Sequence, residues 1–148
     1  MTLLEKAKRG EITAEMQYVA EKEGVTPEFI CEGVAKGEIV ILHSSRENIH
    51  PVAVGKGLFT KVSASVGMYE ADDTIDGEMA KIDAAVKAHA DTLMDLSVRG
   101  PIEEMREKVL STVDRPVGTL PMYETLSSAE AKYGTALDMT PDDLFDMI

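Results

Sequence analysis

The chain has no tryptophan, three phenylalanines, four tyrosines and one cysteine in 148 residues. Cys31 alone permits no internal disulfide, which fits a reducing cytosol. It also cannot build an iron–sulfur site, which needs three or four thiolates. Basic residues are scarce: 15 Lys and Arg stand against 27 Asp and Glu, a net charge of −12. That balance excludes a nucleic-acid partner, because phosphate binding needs a basic surface. The acid is spread along helix faces, where it reads as a solvated surface. No apolar run approaches the roughly 18 residues that span a bilayer. The start "MTLLEKAKRGEIT" has no long apolar stretch, so no secretory signal is expected. These absences together predict a cytoplasmic chain with no membrane partner. His43, His50 and His89 are scattered without metal-ligand spacing. "GKG" at 55–57 lacks the further glycine and the Ser or Thr of a phosphate-binding loop.

What remains is 44% hydrophobic and 28% charged, the balance of a soluble globular domain. "ITAEMQYVAEKEG" sets Ile12, Met16, Val19 and Ala20 at helical spacing and stops at Gly24. "TPEFICEGVAKG" offers Thr26 as N-cap, Pro27 at the first position and Gly37 as the stop. Cys31, among Phe29, Ile30 and Val34, reads there as a small buried hydrophobe. "EIVIL" (38–42) predicts a strand, and 43–58 a connecting loop with a little extended structure.

From residue 59 the pattern becomes regular. "FTKVSASVG" (59–67) alternates, with Thr60, Val62, Ala64 and Val66 on one face and Lys61, Ser63 and Ser65 on the other. An amphipathic helix over 73–90 carries Ile75, Met79, Ile82 and Val86. "TLMDLS" (92–97) predicts a strand, 101–112 a helix opened by Pro101, 115–123 a third strand and 124–132 a helix. "TPDDLFDMI" (140–148) is a further helix start, with Thr140 as cap and Pro141 at the first position. Alternating strands and helices predict an α/β fold with a parallel sheet, its strands apolar on much of both faces. Ligands bind at the carboxyl ends of such strands. Ser65, Met94 and Tyr123 stand at corresponding places there, each 29 residues from the next. They are the candidate site, with Asp95, Ser97 and Arg99 beside them. Asp95 is expected to cap the turn that follows its strand, and Arg99, though able to hold a phosphate, to sit in an exposed ion pair.

Four stretches resemble the phosphomethylpyrimidine synthase family, the radical enzymes that make the pyrimidine half of thiamine. "GEITAEMQYVAEKEGV" is similar to the family's G-x-I-T-x-E-M-x-x-V-A, and "GKGLFTKVSASVG" to G-R-x-x-x-x-K-V/I-N-A-N-I-G. "ADTLMDLSVRGPIEEMREKVL" resembles A-D-T-V/L-M-D-L-S-T-G followed by I-x-x-x-R, and "RPVGTLPMYETL" resembles P-V-P-I/V-G-T-V/L-P-I/M-Y. The resemblance runs colinearly over nearly the whole chain.

It implies a helical N-terminal region (1–58) followed by the first three βα units (59–148) of a (β/α)8 barrel. The implied substrate is aminoimidazole ribonucleotide, rearranged by a radical from S-adenosylmethionine at a 4Fe–4S cluster. The family's substrate-contacting asparagine, methionine and tyrosine fall on Ser65, Met94 and Tyr123. Ser65 departs from the asparagine, and a single rotatable hydroxyl cannot repeat a planar amide's contacts. Ser63 departs likewise, "SVRG" replaces S-T-G, and "HSSRENIHP" lacks the asparagine-rich N-x-N-H-P-E. The implied ligands for the cluster and for zinc would lie beyond residue 148, leaving no catalytic or metal residue in the chain itself. The two unpaired edges of a three-stranded piece invite association, for instance as a homodimer. Three functions are therefore expected: a part of a thiamine-pyrimidine synthase, a part of a relative making hydroxybenzimidazole from the same nucleotide, or a non-catalytic nucleotide-binding paralogue.

Overall fold

The computed structural model describes residues 1–44, 46 and 49–148. Ser45, Glu47 and Asn48, within the expected loop and the "HSSRENIHP" departure, lie outside the described residues. The chain divides into two compact units, Met1–Val62 with Asp114–Pro116, and Ser63–Val113 with Val117–Ile148.

In the first unit, helices α1 (Leu3–Lys8), α2 (Ala14–Glu23) and α3 (Pro27–Lys36) precede a hairpin of β1 (Ile39–Leu42) and β2 (Val52–Gly55). Each helix starts on a threonine whose hydroxyl accepts an N–H three residues on: Thr2 from Glu5, Thr13 from Met16, Thr26 from Phe29. α2 and α3 end as expected on Gly24 and Gly37, both left-handed. α1 was not expected, although "TLLE" is a capping-box pattern, and here Glu5 accepts the Thr2 N–H in return. β2 is the extended piece within the expected loop: Val52, Ala53 and Val54 pair antiparallel with Leu42, Ile41 and Val40, and Ala53 is buried. The core joins Met16, Val19, Ile30, Val34 and Ile39, with Cys31 buried among them as expected. Its Sγ lies 3.7 Å from the Ala7 carbonyl oxygen.

The expected strand over 59–67 begins only at Ser63. Residues before it are held differently. The Glu23 carboxylate accepts the Phe59 N–H at 2.9 Å and pairs with Lys61 Nζ at 2.7 Å. Both side chains of that ion pair are almost out of solvent, at 7% and 10% exposure.

The second unit is a parallel sheet in the order β3 (Ser63–Val66), β4 (Thr92–Asp95), β5 (Val117–Thr119). α4 (Ile75–Lys87) and α5 (Ile102–Thr112) follow β3 and β4, and α6 (Pro121–Tyr133), a 3-10 turn (Ala136–Asp138) and α7 (Pro141–Phe145) follow β5. Val66 and Leu93 face Ile82 of α4 and Met105 and Val109 of α5, with Ile75, Met79 and Val86 packed around them. Burying each such side chain contributes about 1.5–3 kcal/mol. α4 stops short of the expected residue 90, because His89 turns left-handed at φ 63. The third strand is shorter than expected, because Pro121 already opens α6. α7 is held to the end of α6: the Asp143 carboxylate takes the Thr140 N–H at 2.8 Å, Lys132 Nζ at 2.7 Å and the Tyr133 hydroxyl at 3.1 Å. These donors, Lys132 first, hold Asp143 well below the usual carboxylate range, and Asp143 holds Lys132 well above that of a lysine.

Candidate substrate rim at the carboxyl ends of the strands

Strand alternation separates the two faces of the sheet. Ala64, Val66, Leu93, Asp95, Val117 and Thr119 share the face that meets the helices. Ser63, Ser65, Thr92, Met94 and Gly118 share the other, where both serines are exposed and Thr92 and Met94 half-buried. The expectation of strands apolar on both faces is thus corrected. The helix-covered face carries the apolar residues, with Asp95 and Thr119 at the strand ends; the opposite one is small and polar apart from Met94.

The register brings two of the candidate residues together. Ser65 pairs with Met94 across β3 and β4, so their backbones run about 4.8 Å apart. The residue in register with Met94 on β5 is Gly118, not Tyr123. The equal spacing of 29 residues therefore does not continue as strand register. Tyr123 sits beyond β5, in the first turn of α6, 37% exposed, its N–H donated to the Leu120 carbonyl at 3.0 Å. Gly118 has a direct steric role. A Cβ there would lie 2.7 Å from Met94 Sδ and 3.1 Å from its Cε, so the missing side chain is what lets the thioether lie across β5.

Past the strand ends, the turn after β3 and the loop after β4 are locked together. Leu96 N–H donates to the Val66 carbonyl at 2.8 Å, and Val98 N–H to that of Met68 at 3.0 Å. Met68 N–H donates to Ser97 Oγ at 3.0 Å, and that hydroxyl donates to Asp95 Oδ1 at 2.6 Å. Asp95 Oδ1 also accepts the Ser97 N–H at 3.0 Å. Asp95 is buried and occupied as the expected turn cap. Gly67, at φ 137, lies so close to the next loop that a Cβ would come within 2.5 Å of Ser97 N and 2.7 Å of Leu96 C.

One helix side chain reaches into this lock. Glu78 of α4 is 1% exposed, and its Oε2 accepts the Gly67 N–H at 2.8 Å. Its Oε1 pairs with Lys81 Nζ at 2.5 Å, which holds the Lys81 ammonium above its usual range. Sequence reasoning passed over Glu78, Gly67 and Gly118. Glu78 was discoverable: it lies between Ile75, Met79 and Ile82 on the stripe that the helical period assigns to the core.

Beyond the rim, α5 and α6 flank an open cleft of about 360 Å³ whose lining includes Gly100, Glu103, Glu104, Glu124 and Ser127. Its acidic wall does not suit a phosphate. Arg106 and Glu124 form an ion pair beside it. Arg99 is exposed as expected, but it pairs with no carboxylate among the described residues.

A parallel sheet with helices on one face and a small polar strip on the other, its strand ends locked into a rim, belongs to the α/β class of folds. Within that class the family is shown by comparison. The chain matches the radical SAM ThiC family over residues 2–148, and it belongs to that family. It is 92% identical over 148 residues to a 5-hydroxybenzimidazole synthase BzaA of Eubacterium limosum, covering all of this chain and 35% of that protein. It is 55% identical to a 5-hydroxybenzimidazole synthase BzaA of Moorella thermoacetica, again over its whole length and 34% of the relative. Against a phosphomethylpyrimidine synthase of Thermodesulfovibrio yellowstonii the identity is 44%, over 100% of this chain and 35% of the other. The chain thus spans about a third of the length of the curated relatives it matches.

The family's radical SAM chemistry implies an iron–sulfur cluster. The residues present do not fit one. Cys31 is the sole cysteine and is enclosed in the core of the first unit. Among the described residues, no group of three or more His, Cys, Asp and Glu could hold a metal ion. Among the same residues, no helix is long and apolar enough to cross a membrane.

Proposed function

We propose that this chain is the N-terminal, nucleotide-facing portion of a 5-hydroxybenzimidazole synthase. The observation that carries the proposal is the 92% identity, over every residue, with the Eubacterium limosum enzyme of that name. In this reading 1–58 is an accessory helical region, and β3, β4 and β5 are the first strands of a (β/α)8 barrel. Their polar strip becomes part of the barrel's inner wall. Ser65 and Met94 line it side by side, and Tyr123 closes it from the first turn of α6. The ligand is aminoimidazole ribonucleotide, and the radical-generating cluster is held by residues outside these 148. Thiamine-pyrimidine synthesis is the second reading, supported by 44% identity with the Thermodesulfovibrio enzyme. Serines at 63 and 65, where the resemblance to the thiamine-pyrimidine enzymes implies asparagines, depart from the second reading.

What the present residues do is bind and orient. Ser65 can donate or accept one hydrogen bond through a rotatable hydroxyl. Met94 offers a polarizable thioether to an aromatic ring. Tyr123 offers an aromatic face and a phenol. The 148-residue chain alone is expected to convert nothing. The polypeptide of full relative length that carries this segment, reconstituted anaerobically and given aminoimidazole ribonucleotide and S-adenosylmethionine, is expected to release 5-hydroxybenzimidazole. Hydroxymethylpyrimidine phosphate as the product would overturn the assignment in favour of the second reading.

A further inference from the structure

A carboxylate at 1% exposure on the core-facing stripe of an amphipathic helix is costly to bury. Its one ion-pair partner does little to offset burial, because the Lys81 side chain is 59% exposed and remains largely solvated. What Glu78 does that an apolar residue could not is accept the Gly67 N–H. That N–H belongs to the residue with the least freedom in the rim. Gly67 is pressed against the Leu96–Ser97 backbone, and two residues before it stands Ser65. The following residue, Met68, is buried, bonds Ser97 Oγ through its N–H, and lies with Sδ and Cε 3.4 Å from where a Gly100 Cβ would be. Fixing the Gly67 peptide therefore fixes the turn after β3 against the loop after β4.

We infer that Glu78 is a positioning residue for the rim: its carboxylate pins the Gly67 peptide, and through it the placement of Ser65 beside Met94. The role depends on an acceptor at that point, not on filled volume or on net charge. The geometric claim stands without any ligand; that the positioned strip serves aminoimidazole ribonucleotide rests on the function proposed above.

The three roles separate by substitution in this chain, read by amide hydrogen exchange at Gly67 and by the Met94 methyl resonance. Glu78→Met keeps the volume and removes the acceptor. It should speed Gly67 exchange by at least about 10-fold, as loss of a hydrogen bond to a charged group predicts, and should shift the Met94 methyl signal. Glu78→Gln keeps a carbonyl acceptor while Lys81 turns to water, and should hold Gly67 exchange within about 3-fold of the parent. Glu78→Met leaving both signals unchanged would reduce Glu78 to a packing residue and overturn the inference. Glu78→Gln losing as much protection as Glu78→Met would overturn it in favour of a purely electrostatic role. If Glu78→Met does not fold, a scalar coupling between the Gly67 amide nitrogen and the Glu78 carboxylate carbon in the parent chain decides with the Gln variant: the coupling present and protection retained support the inference, and the coupling absent or protection lost refutes it. None of these readouts depends on which product the enzyme makes.

Discussion

Gly67→Ala should be among the most damaging single-methyl additions in the second unit, and the reasons can be weighed separately. Gly67 sits at φ 137, where an L side chain is strained by about 1–3 kcal/mol. The added Cβ would also lie 2.5 Å from Ser97 N, 2.7 Å from Leu96 C and 2.9 Å from Leu96 N. Those atoms are backbone, locked by the Leu96–Val66 and Val98–Met68 hydrogen bonds, so they cannot swing away as a side-chain tip would. Forced repacking of that kind costs about 1–3 kcal/mol. The sum is about 2–6 kcal/mol, against a total stability of about 5–15 kcal/mol for an ordinary domain. Gly118→Ala is the matched control. Its Cβ meets only the end of the half-buried Met94 side chain, and reduced unfolded-state entropy returns about 0.4–1 kcal/mol. That variant should change stability by no more than about 1 kcal/mol while moving the Met94 methyl resonance. Urea unfolding, with protection of the Leu93 and Val109 amides as the probe for this unit, distinguishes the two. With a slope of about 1–3 kcal/mol per molar, Gly67→Ala should lower the midpoint by about 1 M or more. Equal midpoints for the two variants would refute the claim that the β3 turn is held backbone against backbone.

Two further predictions concern ion pairs. Glu23→Gln should destabilise the first unit by about 3–5 kcal/mol, because it leaves the nearly buried Lys61 ammonium with no carboxylate and only neutral acceptors such as the Phe59 carbonyl; a change below about 1 kcal/mol in thermal unfolding would show that Lys61 reaches water freely. The attachment of α7 should depend on pH in a set direction. Asp143 is depressed in the folded chain, so its contribution is present above the unfolded aspartate value of 3.8 and lost as pH falls below it. Lys132 is raised, so its contribution is complete below the unfolded lysine value of 10.5 and lost only at more alkaline pH. The Thr140 amide resonance should therefore hold steady across neutral pH and move below about pH 4, and movement centred near pH 6 would contradict the arrangement.

Much of the local structure was legible because the signals were short-range. Thr26, Pro27 and Gly37 each specify a helix end through backbone chemistry that needs no tertiary partner, and α3 runs between them. What was illegible depended on contacts remote in sequence. Phe59–Val62 alternates like a strand, but Glu23, 36 residues before Phe59, claims its N–H and keeps it out of the sheet. Val52–Val54 is too short to declare itself, and becomes a strand only because β1 pairs with it. His89 ends α4 in a left-handed conformation usually taken by glycine; histidine is enriched there over most other residues, a signal too weak to announce the stop. The candidate site divided along the same line. Ser65 and Met94 are neighbours because each lies one residue before the end of its observed strand, ends that the expected strands 59–67 and 92–97 did not match. Tyr123 left the register because Pro121 opened a helix two residues earlier.

The polar strip has its own force as an argument, separate from any relative's name. Were it destined for a helix layer, it would read apolar, as Val66 and Leu93 do on the other face. Were it ordinary solvent-facing surface, long charged side chains would be the expected occupants, and it has none. Ser63, Ser65, Thr92 and Gly118 are all small, and the one large residue is a methionine laid flat over the glycine. Small polar groups, a polarizable side chain and a close-approach glycine are what a wall needs when a planar polar molecule must come near the backbone. The deeper layer agrees, since a buried carboxylate and a serine–aspartate relay are spent on holding the ends of β3 and β4 together. Under the function proposed above, identity with the relatives names the reaction such a wall would serve. The strip explains why these strands, folded in this register, present a wall at all.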